Sequence, residues 1–334
     1  MAATNAEAPS TGARKVRRLG IAVAIVVALY SVGWYAVASK IETDLGDFLR
    51  QGGGRPFAVT CDQLETAGFP FLIGVNCDRT AFADARTGDR VEAGAFRIAA
   101  RVYNPGTFVT EIDGPAAAGF GNGVRADGSW TRLAASGRAW LDGLSRLSVV
   151  SDMPQVKLSF PALMDAIQLT AASGEAHFRT VDNSLEVAAI AREFQWRLEG
   201  QAPLIDKISA SADILLDNQA ELLKGNRPAS KAMTGTLKSF RIEMAGGLYG
   251  SLTGPFTINE DGYLSGEFAA HLENIDLWQK TLVTLFPEAD ATISGMAVLL
   301  KGLGKDGSGS DVTLNLSDGL ITLSMMPLGH IPPL

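Results

Sequence analysis

Twenty consecutive residues without a charge, Leu19 to Ala38 (LGIAVAIVVALYSVGWYAVA), constrain this 334-residue chain more than any other stretch. As a helix the run is about 30 Å long, the thickness of a bilayer's hydrocarbon core. We expect a transmembrane helix over 19–38, with the rest of the chain held at a membrane. Arg14, Lys15, Arg17 and Arg18 precede the run, and Glu7 is the one acid upstream. By the positive-inside rule residues 1–18 stay cytoplasmic and the C-terminal part crosses. Trp34 and Tyr35 suit the far interface, where a ring keeps its polar edge wet. Ala36-Val37-Ala38 also has the small-x-small pattern that signal peptidase cuts. Against cleavage, the run exceeds the roughly 7 to 15 residues of a signal h-region, and Trp34 and Tyr35 crowd the cut.

Residues 1–13 are small, polar and aperiodic, as in a disordered tail. The two cysteines, Cys61 and Cys77, both lie beyond the apolar run. In an oxidising compartment they are expected to pair, closing 15 intervening residues around Gly68-Phe69-Pro70-Phe71, which is worth about 3 kcal/mol by chain entropy. A metal or redox pair lacks CxxC spacing, and His177, His271 and His330 are scattered. After Ala38 the chain holds 25 bases against 35 acids. So acidic a surface argues against nucleic acid and against a polybasic grip on lipid head groups.

Ile41, Leu45, Phe48 and Leu49 fall at helical spacing, so the helix is expected to continue as a stem that Gln51-Gly52-Gly53-Gly54-Arg55-Pro56 breaks. We therefore read 39–56 as stem and hinge and 57–334 as one β-rich domain. Period-two alternation dominates that domain, for example Phe96, Ile98, Ala100 and Val102, then Val156, Leu158 and Phe160, then Phe194, Trp196 and Leu198. Further runs start at Ile208, Phe240 and Leu264. Hairpin signals stand at Thr87-Gly88-Asp89, Asp182-Asn183-Ser184, Asp261-Gly262 and Ser317-Asp318-Gly319. The last sets Val312, Leu314 and Leu316 against Ile321, Leu323 and Met325.

Asn274 to Phe286 reads as a helix over one end of the sheet. Ile275, Trp278, Leu282 and Phe286 form its stripe, Asn274 or Asp276 its cap and Pro287 its stop. Trp278, Leu282 and Phe286 are its candidate apolar contacts. Asp217 to Lys224 is a shorter candidate helix, and Ser129 to Leu141 fits neither period. The expected class is mainly β, a β-rich α+β chain with an N-terminal transmembrane helix and a long curved antiparallel sheet.

No catalytic constellation survives inspection. Gly302-Leu303-Gly304-Lys305-Asp306-Gly307 matches GxGxxG, but a strand follows where the dinucleotide fingerprint needs a helix, so we read a hairpin loop. GxSxG, HExxH and the P-loop are missing from the sequence. Paired carboxylates such as Glu42/Asp44 and Asp182/Glu186 read as solvated charges. We expect no enzyme activity, no cofactor and no metal.

Cys61-Asp62-Gln63-Leu64, Gly68-Phe69-Pro70-Phe71, Cys77-Asp78, Asn104-Pro105, Asp113-Gly114-Pro115-Ala116 and the closing Pro327-Leu328-Gly329-His330-Ile331-Pro332-Pro333-Leu334 together resemble a bacterial family, domain of unknown function 2125. The resemblance implies an N-terminally anchored envelope protein of alphaproteobacteria, hence an inner-membrane helix and a periplasmic domain. A looser likeness, in layout, is to AsmA-like inner-membrane proteins.

With 46% hydrophobic residues and strands whose second face is often Ala, Ser, Thr or Gly, such a sheet must curl or be covered. A curled, open-sided sheet offers a trough for acyl chains. The leading expectation is a tethered protein that binds or shields a lipid or other apolar ligand. The alternative is a scaffold that docks a protein partner in an envelope assembly. Phe71 is expected in the core beneath the disulfide, where truncation to Ala costs about 3 to 5 kcal/mol.

Overall fold

The apolar run lies inside a helix twice its length. In the computed structural model, which describes residues 11–51, 57–226, 230–303, 309–324 and 326–333, α1 spans Thr11–Gln51, 41 residues. The first ten residues and Gly52–Pro56 of the expected hinge lie outside the described residues. The segment of α1 from Arg14 to Leu49 is apolar and long enough to cross a membrane. Trp34 and Ala38 are buried, and Ile41, Leu45 and Leu49 are half-buried. These five recur every three or four residues, so one stripe of the helix faces the folded domain. Most other side chains between Leu19 and Val37 are exposed, as a lipid-facing helix requires.

Twenty-two strands follow among the described residues. They begin β1 (Phe57–Asp62), β2 (Glu65–Ala67), β3 (Leu72–Cys77), β4 (Arg79–Asp84), β5 (Arg90–Ala93), β6 (Phe96–Arg101), β7 (Asn104–Ile112) and β8 (Ala116–Gly119). Next come β9 (Arg125–Ser129), β10 (Arg132–Trp140), β11 (Gly143–Asp152), β12 (Gln155–Ser159), β13 (Ile167–Thr170), β14 (Ser173–Val181) and β15 (Ser184–Leu198). All pairings are antiparallel. One ribbon runs β1, β4, β5, β8, β9, β12, β13. The other runs β2, β3, β6, β7, β10, β11, β14, β15. The ribbons merge at β15, whose last residues pair with β13.

The chain passes from one ribbon to the other at the end of almost every hairpin, so the sheet is creased, not split. Backbone bonds continue through the crease: Gly94 N–H to Asp113 O (3.1 Å), Thr131 N–H to Asp152 O (3.0 Å) and Met153 N–H to Ala172 O (3.0 Å). The sequence marks the fold line with Gly94, Gly114-Pro115 and Pro154, residues that tolerate a sharp turn or give up a ladder donor. A Cβ on Gly94 would meet Asp113 O at 2.8 Å. Trp130 sits on this line and donates its indole N–H to Ile112 O (2.7 Å). The segment 129–141, which fitted neither period, is therefore the end of β9, a crease and β10.

Beyond β15 the ribbon continues as a meander through β16 (Ile208–Leu216), β17 (Met233–Met244), β18 (Leu248–Ile258), β19 (Leu264–Glu273), β20 (Gly309–Ser317), β21 (Leu320–Leu323) and β22 (Met326–His330). β1 and β22 each have one partner, and the sheet does not close. The four predicted hairpins fall between β4 and β5, β14 and β15, β18 and β19, and β20 and β21. Leu316 faces Ile321 and Leu314 faces Leu323; Met325 lies outside the described residues.

Short α2 (Ala220–Leu223) follows β16. α3 (Ile275–Leu285) lies where the stripe predicts, its Leu277 N–H capped by the Asn274 side chain at 3.2 Å. The sequence reading missed α4 (Asp290–Leu303). Its Ile293 and Ala297 are buried, as are Ile275, Phe268 and Leu323. This corrects the hairpin reading of the GxGxxG match: the segment leads from α4 into β20, and 304–308 lie outside the described residues. Helix before and strand after is the reverse of the dinucleotide order.

Across β19 and β20, His271 Nδ1 lies 2.7 Å from Asp311 and Nε2 lies 3.3 Å from Glu273. Hydrogen bonds to Asp311 and then Glu273 raise the imidazole pKa above its ordinary value of 6.5. The stabilisation from this pair is full below that ordinary value and is lost as pH rises through the raised one. Asp311 is 89% exposed, so solvent screening limits the effect to about 1 kcal/mol or less. Thermal unfolding followed from mildly acidic to mildly basic pH should decline for the wild type and flatten for His271→Gln; parallel profiles would refute this account.

Candidate functional site

The bend that follows β2 is built against α1. Gly68 has φ of 111°, and a Cβ there would meet Leu72 Cβ at 2.7 Å, so only glycine fits. Leu72 N–H bonds to Gly68 O at 2.8 Å and closes the turn around Phe69-Pro70-Phe71. Phe69 stacks on Tyr35, with ring centroids 5.5 Å apart, and meets Trp34 edge-on at 5.4 Å. The Trp34 indole N–H donates to Leu72 O at 2.9 Å, and the Tyr30 hydroxyl donates to Pro70 O. Glu42, one turn beyond Ala38, accepts from the Thr66 hydroxyl at 3.2 Å. The disulfide Cys61–Cys77 ties β1 to the end of β3 at the base of the bend.

This arrangement corrects the placement of Phe71. It is 68% exposed, and Phe69 is 43% exposed; neither is core beneath the disulfide. A bend that carries proline cannot lie flat in a ladder, so its carbonyls find donors on the helix instead. Phe71 O accepts from Val102 N–H at 3.0 Å, which sets Phe71, Leu72, Val102 and Tyr103 beside one another as an exposed apolar tip.

From this bend a trough runs across β3, β6, β7, β10, β11 and β14. Its first hollow, ≈ 640 Å³, is lined by Gly68, Leu72, Ala99, Val109, Ala134 and Val150, among others. A second hollow of ≈ 870 Å³ shares Leu72, Ala99, Val109, Ser136 and Ser148 and continues to Arg101, Arg138, Arg146 and Arg179. The floor follows from register. Gly74 faces Ala99, Ala99 faces Val109, Val109 faces Ser136 and Ser136 faces Ser148. Small side chains on one face of five adjacent strands leave a furrow.

Charge beside the first hollow is neutralised in pairs. Arg97 holds Asp113 through two contacts, the longer at 2.9 Å, and lies 3.8 Å from Glu111, which is 3.9 Å from Arg132. The hydrogen bond from Arg97 keeps the Asp113 carboxyl below its ordinary pKa and raises that of Arg97. Glu186, between Lys238 and Arg179, is also held low, chiefly by Lys238. Of the carboxylate pairs, Glu186 is thus an ion-pair centre, while Asp44 pairs with Lys40 at 3.0 Å.

Trp278, Leu282 and Phe286 do not line the trough. The Trp278 indole N–H donates to Tyr249 O at 3.0 Å, Leu282 is half-buried and Phe286 is exposed, consistent with a helix that covers the end of the sheet. The three histidines are apart, and no group of three metal-ligating side chains occurs among the described residues. Sequence reasoning missed the part played by Tyr30 and Trp34. The signal for it was indirect: carbonyls flanking Pro70 that need donors, and aromatic donors in the preceding helix.

Fold and site together define a class, a single apolar helix docked on the bend of an open, creased antiparallel sheet that carries a trough. The chain belongs to DUF2125, a family of uncharacterized proteins conserved in bacteria, which residues 34–332 match. No curated protein matches it.

In full-length protein held in mild detergent, Trp34→Ala should cost about 3 kcal/mol of unfolding free energy, the scale of a buried aromatic. Phe71→Ala, the truncation of an exposed ring, should stay within about 0.5 kcal/mol. Urea unfolding of the two variants side by side checks this, and an equal loss in both would return Phe71 to the core.

Proposed function

We propose that this is a single-pass membrane protein, its N-terminus cytoplasmic and its sheet outside the cytoplasm, that binds or shields a lipid or other apolar ligand in the trough. The observation that carries the reading is the junction. The apolar hollow begins at Gly68 and Leu72, and from within the apolar run Trp34 holds the Leu72 carbonyl and Tyr30 that of Pro70. Tyr30 stands eight residues before Ala38, about 12 Å along the helix. With Leu19–Ala38 in the bilayer, the tip formed by Phe71, Leu72, Val102 and Tyr103 enters the outer leaflet, and the trough opens at lipid depth.

Aromatic rings suit that depth, and the helix donors satisfy the Pro70 and Leu72 carbonyls where no water can. The arginine-rich flank before Leu19 supports the orientation, and the disulfide supports an oxidising compartment. Cleavage after Ala38 would discard both donors, Tyr30 and Trp34, so the anchor in this reading is retained. In this reading the membrane is the inner membrane and the sheet lies in the periplasm, as the resemblance to an envelope family implies. In this reading the protein is a binder, and it uses neither catalysis nor a cofactor.

The test is uptake of a fluorescent acyl lipid by delipidated full-length protein in mild detergent, with mass spectrometry of whatever co-purifies. Val109→Trp should fill the furrow against Ala99 and Ser136 and cut uptake at least about tenfold, the loss of roughly 1.4 kcal/mol of binding. Its thermal midpoint should not change, because Val109 is 59% exposed. Uptake by neither protein, or equal uptake by both, would end the trough reading.

A further inference from the structure

We propose that the trough selects an amphiphile with an anionic head, held by arginines that stand in register at its far end while the tail lies in the apolar hollow. This rests on the reading of the trough as a lipid site. Arg138 on β10 faces Arg146 on β11, and Arg146 faces Arg179 on β14. Three cations thus stand directly opposite one another on adjacent strands, about 5 Å apart at Cβ, an arrangement that destabilises a sheet. Arg101 on β6 lines the same hollow, as do Ser145, Ser148 and Thr107.

A second charged row on the same face, beyond Ser136 and Ser148, shows what this sheet does with arginines that serve the fold. Arg97 and Arg132 meet Glu111 and Asp113, and Arg192 meets Glu175 at 2.6 Å. In the arginine row, Arg179 alone has a carboxylate, Glu186, which it shares with Lys238. Among the described residues no carboxylate pairs with Arg101, Arg138 or Arg146. Nor does a basic surface explain the cluster, since the chain carries −7 overall. Uncompensated like charges, brought together by register in an acidic protein, call for an anion.

Guanidinium forks match phosphate or carboxylate oxygens through paired hydrogen bonds. Such an anion could arrive free or as the head of a lipid. Continuity of the two hollows favours the lipid. Ser136 and Ser148 line both hollows and stand one same-face step, about 7 Å, from Arg138 and Arg146. A head on the arginines therefore places the first tail carbons over the small-residue furrow.

The experiment titrates full-length protein in uncharged mild detergent with acyl-labelled phosphatidic acid and with diacylglycerol of the same chains. It repeats both with Arg138→Gln/Arg146→Gln and adds inorganic phosphate as competitor. Wild type should bind phosphatidic acid at least about tenfold more tightly, the scale of a charge-assisted hydrogen bond, and added salt should shrink the preference. The double variant should bind both lipids alike, at the wild-type diacylglycerol affinity, with a thermal midpoint no lower than wild type. Equal binding of the two lipids by wild type would overturn the head-group assignment and leave the trough standing, and needs no variant. Displacement of phosphatidic acid by phosphate at the lipid's own binding concentration would assign the site to a free anion and also overturn it. Failure of both lipids to bind would remove the trough reading itself.

Discussion

The contact between Trp34 and the Leu72 carbonyl, with Tyr30 on Pro70 beside it, fixes how the two unlike halves of this protein meet. An apolar helix must find partners for the polar groups it carries, and so must a bend packed against it. Here each solves the other's problem. The indole and phenol need acceptors in an apolar setting; the bend at Gly68-Phe69-Pro70-Phe71 has carbonyls that proline has taken out of a ladder. Phe69, packed between Trp34 and Tyr35, adds the apolar contact that holds the donors in place. The disulfide from Cys61 to Cys77 ties β1 to β3 at the base of the bend, so the junction anchors the start of the sheet and not a loose loop.

The sheet that grows from this anchor has an unusual way of gaining curvature. Hairpins alternate between two ribbons across a common fold line, and Gly94, Gly114-Pro115 and Pro154 stand at three of the crossings. Hydrogen bonds run on through the line, so the crease costs few backbone partners while it bends a broad layer that would otherwise lie open. Few side chains are fully buried along the first two-thirds of the domain. At the C-terminal end α3 packs on α4 and β18, α4 packs on β20, and Phe268, Ile275, Ile293, Ala297 and Leu323 are buried. The uncovered part is the part that holds the trough, next to the anchor.

Charge is laid out in rows by the same register. Where an arginine row crosses the start of the trough, acids on the neighbouring strands neutralise it. Two same-face rows further on, Arg138 and Arg146 have no carboxylate partner among the described residues. Such a difference between two rows on one face cannot come from composition, because the same six strands contribute to both. It is a property of which residue stands opposite which.

The sequence by itself determined the elements with local causes. An uncharged run of twenty residues makes a helix of membrane length; alternation makes strands; Asp-Gly and Asn turns make hairpins; an asparagine and a proline bound α3. The cysteine pair and the family motif were legible too, because spacing and residue type carry them. Only the tertiary structure decided where Phe71 points, since a phenylalanine after proline reads equally as core or as tip until its neighbours are known. The same holds for α4, whose interrupted stripe gains its meaning from β20, and for the trough, whose small residues come from strands up to 80 positions apart. Periodicity reports what faces the same way along one strand. What faces it across the gap is set by pairing, and pairing is a long-range choice that no single stretch of this chain encodes.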